Sequence, residues 1–128
     1  NYALAFAEVE RWDEEKAWDY RQREAGAWLS QGDEKGDAAA LDKALDRYRD
    51  AQALSPRDRQ PLRWAQAQNN IGNVLLVQGR RVAGTSMIEA AIAAYMDALE
   101  VRTREAAPRD WAKTQNNLAI AYIDMAER

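Results

Sequence analysis

The side chains able to do chemistry in this chain are fewer than its 128 residues suggest, because it contains neither histidine nor cysteine. That removes the imidazole base on which Ser-His-Asp and Cys-His catalysis depends. It also removes thiolate and imidazole metal ligation and any disulfide framework. What remains is 21 Asp and Glu set against 18 Lys and Arg, a formal charge of −3. Paired carboxylates can run acid–base chemistry, but no pair here carries a distinguishing spacing. The glycine-flanked stretch Gly32-Asp33-Glu34-Lys35-Gly36 lacks the spacing and the Ser/Thr of a phosphate loop. No catalytic residue, metal or cofactor is expected.

The polar residues that do recur in a pattern are asparagines. Asn69-Asn70 and Asn116-Asn117 lie 47 residues apart, inside Trp64-Ala65-Gln66-Ala67-Gln68-Asn69-Asn70-Ile71 and Trp111-Ala112-Lys113-Thr114-Gln115-Asn116-Asn117-Leu118. A carboxamide both donates and accepts, so a row of them suits the backbone of an extended peptide. The competing use is structural, each Asn bonding to a neighbouring helix and fixing how repeats stack.

The elements that must position these residues follow the same offset. It joins Leu41, Ala44, Leu45, Tyr48, Ala51 and Leu54 to Ile88, Ala91, Ile92, Tyr95, Ala98 and Val101. Those successive intervals of 3, 1, 3, 3 and 3 residues draw one apolar stripe of an amphipathic helix. Alanine, which loses no side-chain entropy in a helix, supplies 26 residues against six glycines and three prolines. Five helices are expected. The first covers about 2–30, with a break near Trp12-Asp13 allowed by its imperfect stripe, and a turn follows at Gly32 and Gly36. The second, 38–54, is capped by Asp37 and ended by Ser55-Pro56. The third, 61–78, opens on Pro61 and closes at Gly79. The fourth, 86–106, opens on a Ser86/Glu89 capping box. The fifth opens on Pro108 and runs to the end. No period-2 stretch bounded by turns marks a strand.

These residues resemble the tetratricopeptide repeat (TPR). Asn70-Ile71-Gly72-Asn73-Val74-Leu75 is similar to the Asn-Leu-Gly-Asn-Ala-Tyr of its first helix. Ala91, Tyr95 and Ala98 match the small–aromatic–small pattern of its second, and Asn117-Leu118-Ala119-Ile120-Ala121-Tyr122 restarts the motif. The period exceeds that family's 34 residues by 13, which fits a bacterial TPR-like subclass with Trp-Ala-x-x-Gln-Asn-Asn-Leu units. The resemblance implies one all-α domain over 1–128, a short right-handed α-solenoid of antiparallel helix hairpins. Residues 1–54 would be a degenerate N-terminal unit, 61–106 a full repeat, and 108–128 the first helix of a further repeat.

In that family the first helices line a concave surface. The resemblance therefore implies a partner groove at Gln66, Asn69, Asn73, Lys113, Asn116 and Ile120. It assigns Trp64, Asn70, Gly72, Ala91, Tyr95, Ala98, Trp111 and Asn117 to repeat packing. Within each Asn pair, Asn69 and Asn116 are given to the ligand and Asn70 and Asn117 to the scaffold. Lys113 alone matches the basic positions with which peptide-gripping members hold a terminal carboxylate. The implied function is a non-enzymatic interaction scaffold for a peptide or protein. The alternatives are a self-assembling structural module, using an uncovered fifth helix to form homo-oligomers, and a sensor domain of a larger protein.

Charge and hydropathy bound the partners further. Clusters such as Arg57/Arg59/Arg63 and Arg80/Arg81 are too small for a duplex-binding face, so no nucleic-acid partner is expected. Mean hydropathy is −0.68 and no apolar run spans a bilayer, so no membrane partner is expected. The absence of cysteine fits a cytoplasmic location. The chain opens on Asn1 rather than Met, as expected of a piece cut from a longer protein.

Overall fold

A computed structural model describes the backbone of residues 2–128 and the side-chain surroundings of residues 13–128. Five helices follow one another: α1 (Tyr2–Lys35), α2 (Ala38–Leu54), α3 (Pro61–Arg80), α4 (Ser86–Val101) and α5 (Pro108–Ala126). Among the described residues there is no strand, and no helix is long and apolar enough to cross a membrane.

Several helix ends are where local chemistry puts them. Asp37 caps α2 by accepting a bond from the Ala40 amide at 3.2 Å. Its carboxyl is held below the usual aspartate range, first by the Gln31 side chain and then by that amide. Pro61 and Pro108 open α3 and α5, where a missing N–H costs nothing. Four details differ from the sequence reading. The first helix runs unbroken through Trp12-Asp13 and past Gly32 to Lys35. The third passes Gly79 to end at Arg80. The fourth stops at Val101, and the Arg102 amide bonds back to the Ala98 carbonyl. The expected capping box is replaced by Thr85 at the N-cap, with no side-chain cap bond.

Gly32 and Gly79 are close-approach residues rather than turn residues. A Cβ on Gly32 would lie 2.5 Å from Leu41, and one on Gly79 would lie 2.8 Å from Ile88. The positive-φ glycines are instead Gly36 (φ 66°) and Gly84 (φ 89°), where an L side chain would be strained. Gly72 is enclosed in the same way, since its missing Cβ would sit 2.6–2.9 Å from three atoms of the Tyr95 ring.

The contacts fix helix directions. Gly32 meets Leu41 while Gly26 faces Tyr48, so α1 and α2 run antiparallel. Gly79 with Ile88 and Gly72 with Tyr95 repeat this for α3 and α4. Alternate helices run parallel: Asn70 bonds Gln22 and Arg81 bonds the Asp33 carbonyl between α3 and α1. Neighbours in sequence make the extensive contacts, while α1 with α3 and α3 with α5 touch more lightly. The core sits between them, built on Leu41, Tyr48, Ile71, Val74, Leu75, Ile88, Ala91 and Tyr95.

Two helix-interior glycines therefore separate by experiment. Gly72→Ala drives a methyl into Tyr95 and should lose about 1–3 kcal/mol of stability. Gly26→Ala, whose Cβ would meet only the Tyr48 hydroxyl at 3.6 Å, removes helix-interior glycine entropy and should be neutral or gain about 0.5–1 kcal/mol. Urea unfolding of both variants checks the pair, and equal destabilisation would contradict the close-approach account.

Candidate functional site

The parallel helices are joined in series, α1 to α3 and α3 to α5, and the bonds that tie them together repeat. The Asn70 amide donates to Gln22 Oε1 at 3.0 Å. Forty-seven residues on, the Asn117 amide donates to Asn69 Oδ1 at 3.1 Å. Arg81 donates to the Asp33 carbonyl, and Arg128, again 47 residues on, donates to the carbonyls of Gly79, Val82 and Gly84. An arginine at a helix C-terminus satisfies orphan carbonyls and complements the dipole.

Between α3 and α5 these ties leave a polar cavity of about 450 Å³. It is lined by Gln66, Asn69, Asn70 and Asn73 of α3, by Asp110, Lys113, Asn116 and Asn117 of α5, and by Arg102 of the α4–α5 connection. A second cavity of about 330 Å³ adjoins it, sharing Asn73 and Asn117 and walled by Leu29, Leu76, Val77 and Ile120. Five of the six residues expected in a groove thus meet in one cavity, and Ile120 lies in the next. Asn70 and Asn117, expected to serve packing, line the first cavity as well.

Within the Asn pairs one residue departs from the expected division: Asn70 and Asn117 bond to neighbouring helices and Asn116 is exposed, but Asn69 is buried in the packing. Asn69, assigned to a ligand, is 7% exposed. Its carboxamide oxygen accepts the Thr114 hydroxyl at 3.0 Å and the Asn117 amide at 3.1 Å. The reason is position: α3 is covered by helices on both sides, so its Asn69 faces α5 and not solvent. Asn116 sits on α5 and is exposed. Gln66, Lys113 and Asn116 make no side-chain bond to any described residue, whereas Asn73 accepts the Tyr95 hydroxyl at 2.6 Å. Burial pushes that phenol far above its ordinary range, so it stays a neutral donor.

The packing residues take several forms. Ala91, Tyr95 and Ala98 are fully enclosed. Trp64 and Trp111 are half-buried, each with an arginine over its ring, Arg57 at 4.9 Å and Arg104 at 5.8 Å. Those arginines are themselves 47 residues apart, a repeat the tryptophans had marked alone. Trp18 is buried under Arg63, and the side chain of Trp12 lies outside the described residues.

Arg102 is the residue the sequence reading missed. It is 5% exposed and donates to Thr114 Oγ1 at 3.1 Å. Burial lowers its proton affinity and the charge of Asp110 acts the other way, yet Arg102 enters no ion pair within 4 Å among the described residues. Its Nε is buried with no partner. One signal was available: the repeat offset puts Arg102 where Ser55 stands, at the C-cap of α2. The sequence shows only that arginine stands where the preceding unit has serine; the structure adds that Ser55 is buried too, 1% exposed.

Asn69→Ala leaves Thr114 and Asn117 with unpaired polar groups and should cost about 1–3 kcal/mol. Asn116→Ala, on an exposed side chain without bonds, should stay within about 0.5 kcal/mol of the parent. Chemical denaturation of the two variants side by side measures the difference. Comparison of the chain with models of known protein families, with curated proteins and with solved structures finds no match.

Proposed function

We propose that this chain is a TPR-like interaction scaffold, a short α-solenoid that binds an extended peptide segment of a partner in the groove between α1, α3 and α5. The observation that carries the reading is the set of free donors and acceptors in one place. Gln66, Lys113 and Asn116 line a single cavity and carry no side-chain bond of their own to a described residue. Side chains already committed to packing, Asn69 and Asn117, hold that wall in place. A wall fixed before binding reduces the ordering cost that association must meet. The adjoining cavity offers Leu29, Leu76, Val77 and Ile120 to apolar side chains of the same segment. Extended peptides pair with such a surface by backbone bonds to carboxamides, with specificity set by neighbouring pockets.

A second reading has its own support. Tyr122 and Ile123 on α5 are 50% and 58% exposed. An exposed apolar pair on α5 suits self-association as a structural module. The two readings use different faces of α5, which allows one experiment to separate them.

Titration of ¹⁵N-labelled protein with a library of extended peptides should move the side-chain amides of Gln66 and Asn116. Gln66→Ala with Asn116→Ala should abolish those shifts and leave the thermal midpoint unchanged. Shifts that instead grow with protein concentration alone, centred on Tyr122 and Ile123, would replace the peptide groove with self-assembly.

A further inference from the structure

The face of α5 that turns away from α3 holds large apolar groups in the open. Tyr122 and Ile123 are 50% and 58% exposed, and Ala112, Gln115, Ala119 and Ala126 on the same face are exposed as well. Asn117, which bonds Asn69 of α3, lies about 200° around the helix from Ala119. This face and the groove between α3 and α5 therefore open in different directions.

The 47-residue offset bears on what covers it. It maps Ala112, Ala119, Tyr122 and Ala126 onto Ala65, Gly72, Leu75 and Gly79 of α3, all buried, with the two glycines against α4. A helix is thus the kind of element that fits. A helix like α4 does not fit, however. A Cβ at Gly72 would stand 2.6 Å from the Tyr95 ring and one at Gly79 would stand 2.8 Å from Ile88, closer than Cβ atoms come. On α5 those Cβ atoms are present, as Ala119 and Ala126. A helix seated there at the same spacing must bring small residues to those positions instead of Tyr and Ile.

The helix α5 itself meets that requirement. Its alanines at 112, 119 and 126 recur every seven residues, so the row reads the same in both directions from Ala119. In an antiparallel pair with a second copy, Ala119 meets its own counterpart on the two-fold axis and Ala112 meets Ala126. Tyr122 and Ile123 flank the row on opposite sides and close over it. The charges favour the same direction. Arg109 and Glu127 are exposed and enter no ion pair within 4 Å among the described residues. They lie 18 residues apart, five full turns, and so share one flank of the face. Antiparallel pairing sets Arg109 of each copy beside Glu127 of the other, whereas parallel pairing sets like charges together.

We infer that this face of α5 is a homodimer interface, on which two copies of the chain pair antiparallel about Ala119. The inference rests on the self-association reading and deepens it by giving the pair an orientation and a register.

The chain has no cysteine, so engineered thiols report on single positions. Sedimentation equilibrium should show monomer and dimer without larger species. A short bis-maleimide should join Ala119→Cys to itself, and Ala112→Cys to Ala126→Cys in a mixture of the two, with little product from either of those alone. Ala119→Glu, at an exposed helical position, should weaken dimerisation about tenfold or more and leave the thermal midpoint of the dilute monomer unchanged. Glu127→Arg should weaken it about twofold to fivefold, and adding Arg109→Glu should restore it. Dimers that cross-link through Ala112→Cys alone, or that ignore Ala119→Glu, overturn this interface and leave self-association standing. A chain still monomeric at about 1 mM overturns both. Saturable binding of a Ser86–Val101 peptide to the monomer, read at Tyr122 and Ile123, also overturns the inference and gives the face to an α4-like helix.

Discussion

Three helices meet at the carboxamide oxygen of Asn69. It accepts the hydroxyl of Thr114 and the amide of Asn117, both on α5, and through Thr114 it is linked to Arg102 at the end of α4. Asn69, Thr114 and Arg102 are buried, and a buried donor left unpaired costs far more than a formed bond gains. The register of α5 on α3 is thereby set, since a slide of one turn would strand several polar groups together. The polar cavity depends on that register: its two walls are α3 and α5, and its floor includes the residues that make the tie.

Small residues let the polar tie form. The Gly72–Tyr95 and Gly79–Ile88 approaches bring α4 against α3 at a distance no Cβ would permit. With α4 held there, its C-terminus delivers Arg102 between α3 and α5 rather than outside them. Packing thus decides electrostatics: the same arginine on a looser hairpin would reach solvent and resemble the exposed Arg57 or Arg59. The Trp–Arg stacks at 64/57 and 111/104 pin the connections that precede α3 and α5. Cation–π contacts of that kind contribute modestly, about 0.5–1 kcal/mol at exposed sites, and their value here is in fixing a loop.

Much of this was legible in the chain because the repeat offset carries both apolar stripes and polar pairs. All five helices, the Asp37 cap and the proline-opened α3 and α5 follow from local rules. What escaped was tertiary. Gly32 and Gly79 look like turn glycines, because a glycine needed for helix contact and one needed for positive φ are the same letter. Asn69 and Asn116 are identical by sequence, yet one is covered by α5 and the other is exposed on α5. Arg102 was invisible as a site residue because periodicity reports which face a residue takes only inside a helix. One position past the helix end its burial is set by what the loop folds against. The serine at the equivalent position 55 was the only hint that the connection after α4 differs from the one after α2.

The most direct measurement of the Asn69 tie is a double-mutant cycle between Asn69 and Asn117, using Asn69→Ala, Asn117→Ala and the double variant in urea unfolding. Residues in one hydrogen-bond network couple by about 0.5–3 kcal/mol, whereas independent sites add to within about 0.5 kcal/mol. A coupling of about 1 kcal/mol or more, with the double variant less destabilised than the two single losses together, is the result this account predicts. Strict additivity would show that α5 finds its register without Asn69, and would contradict the account at its centre.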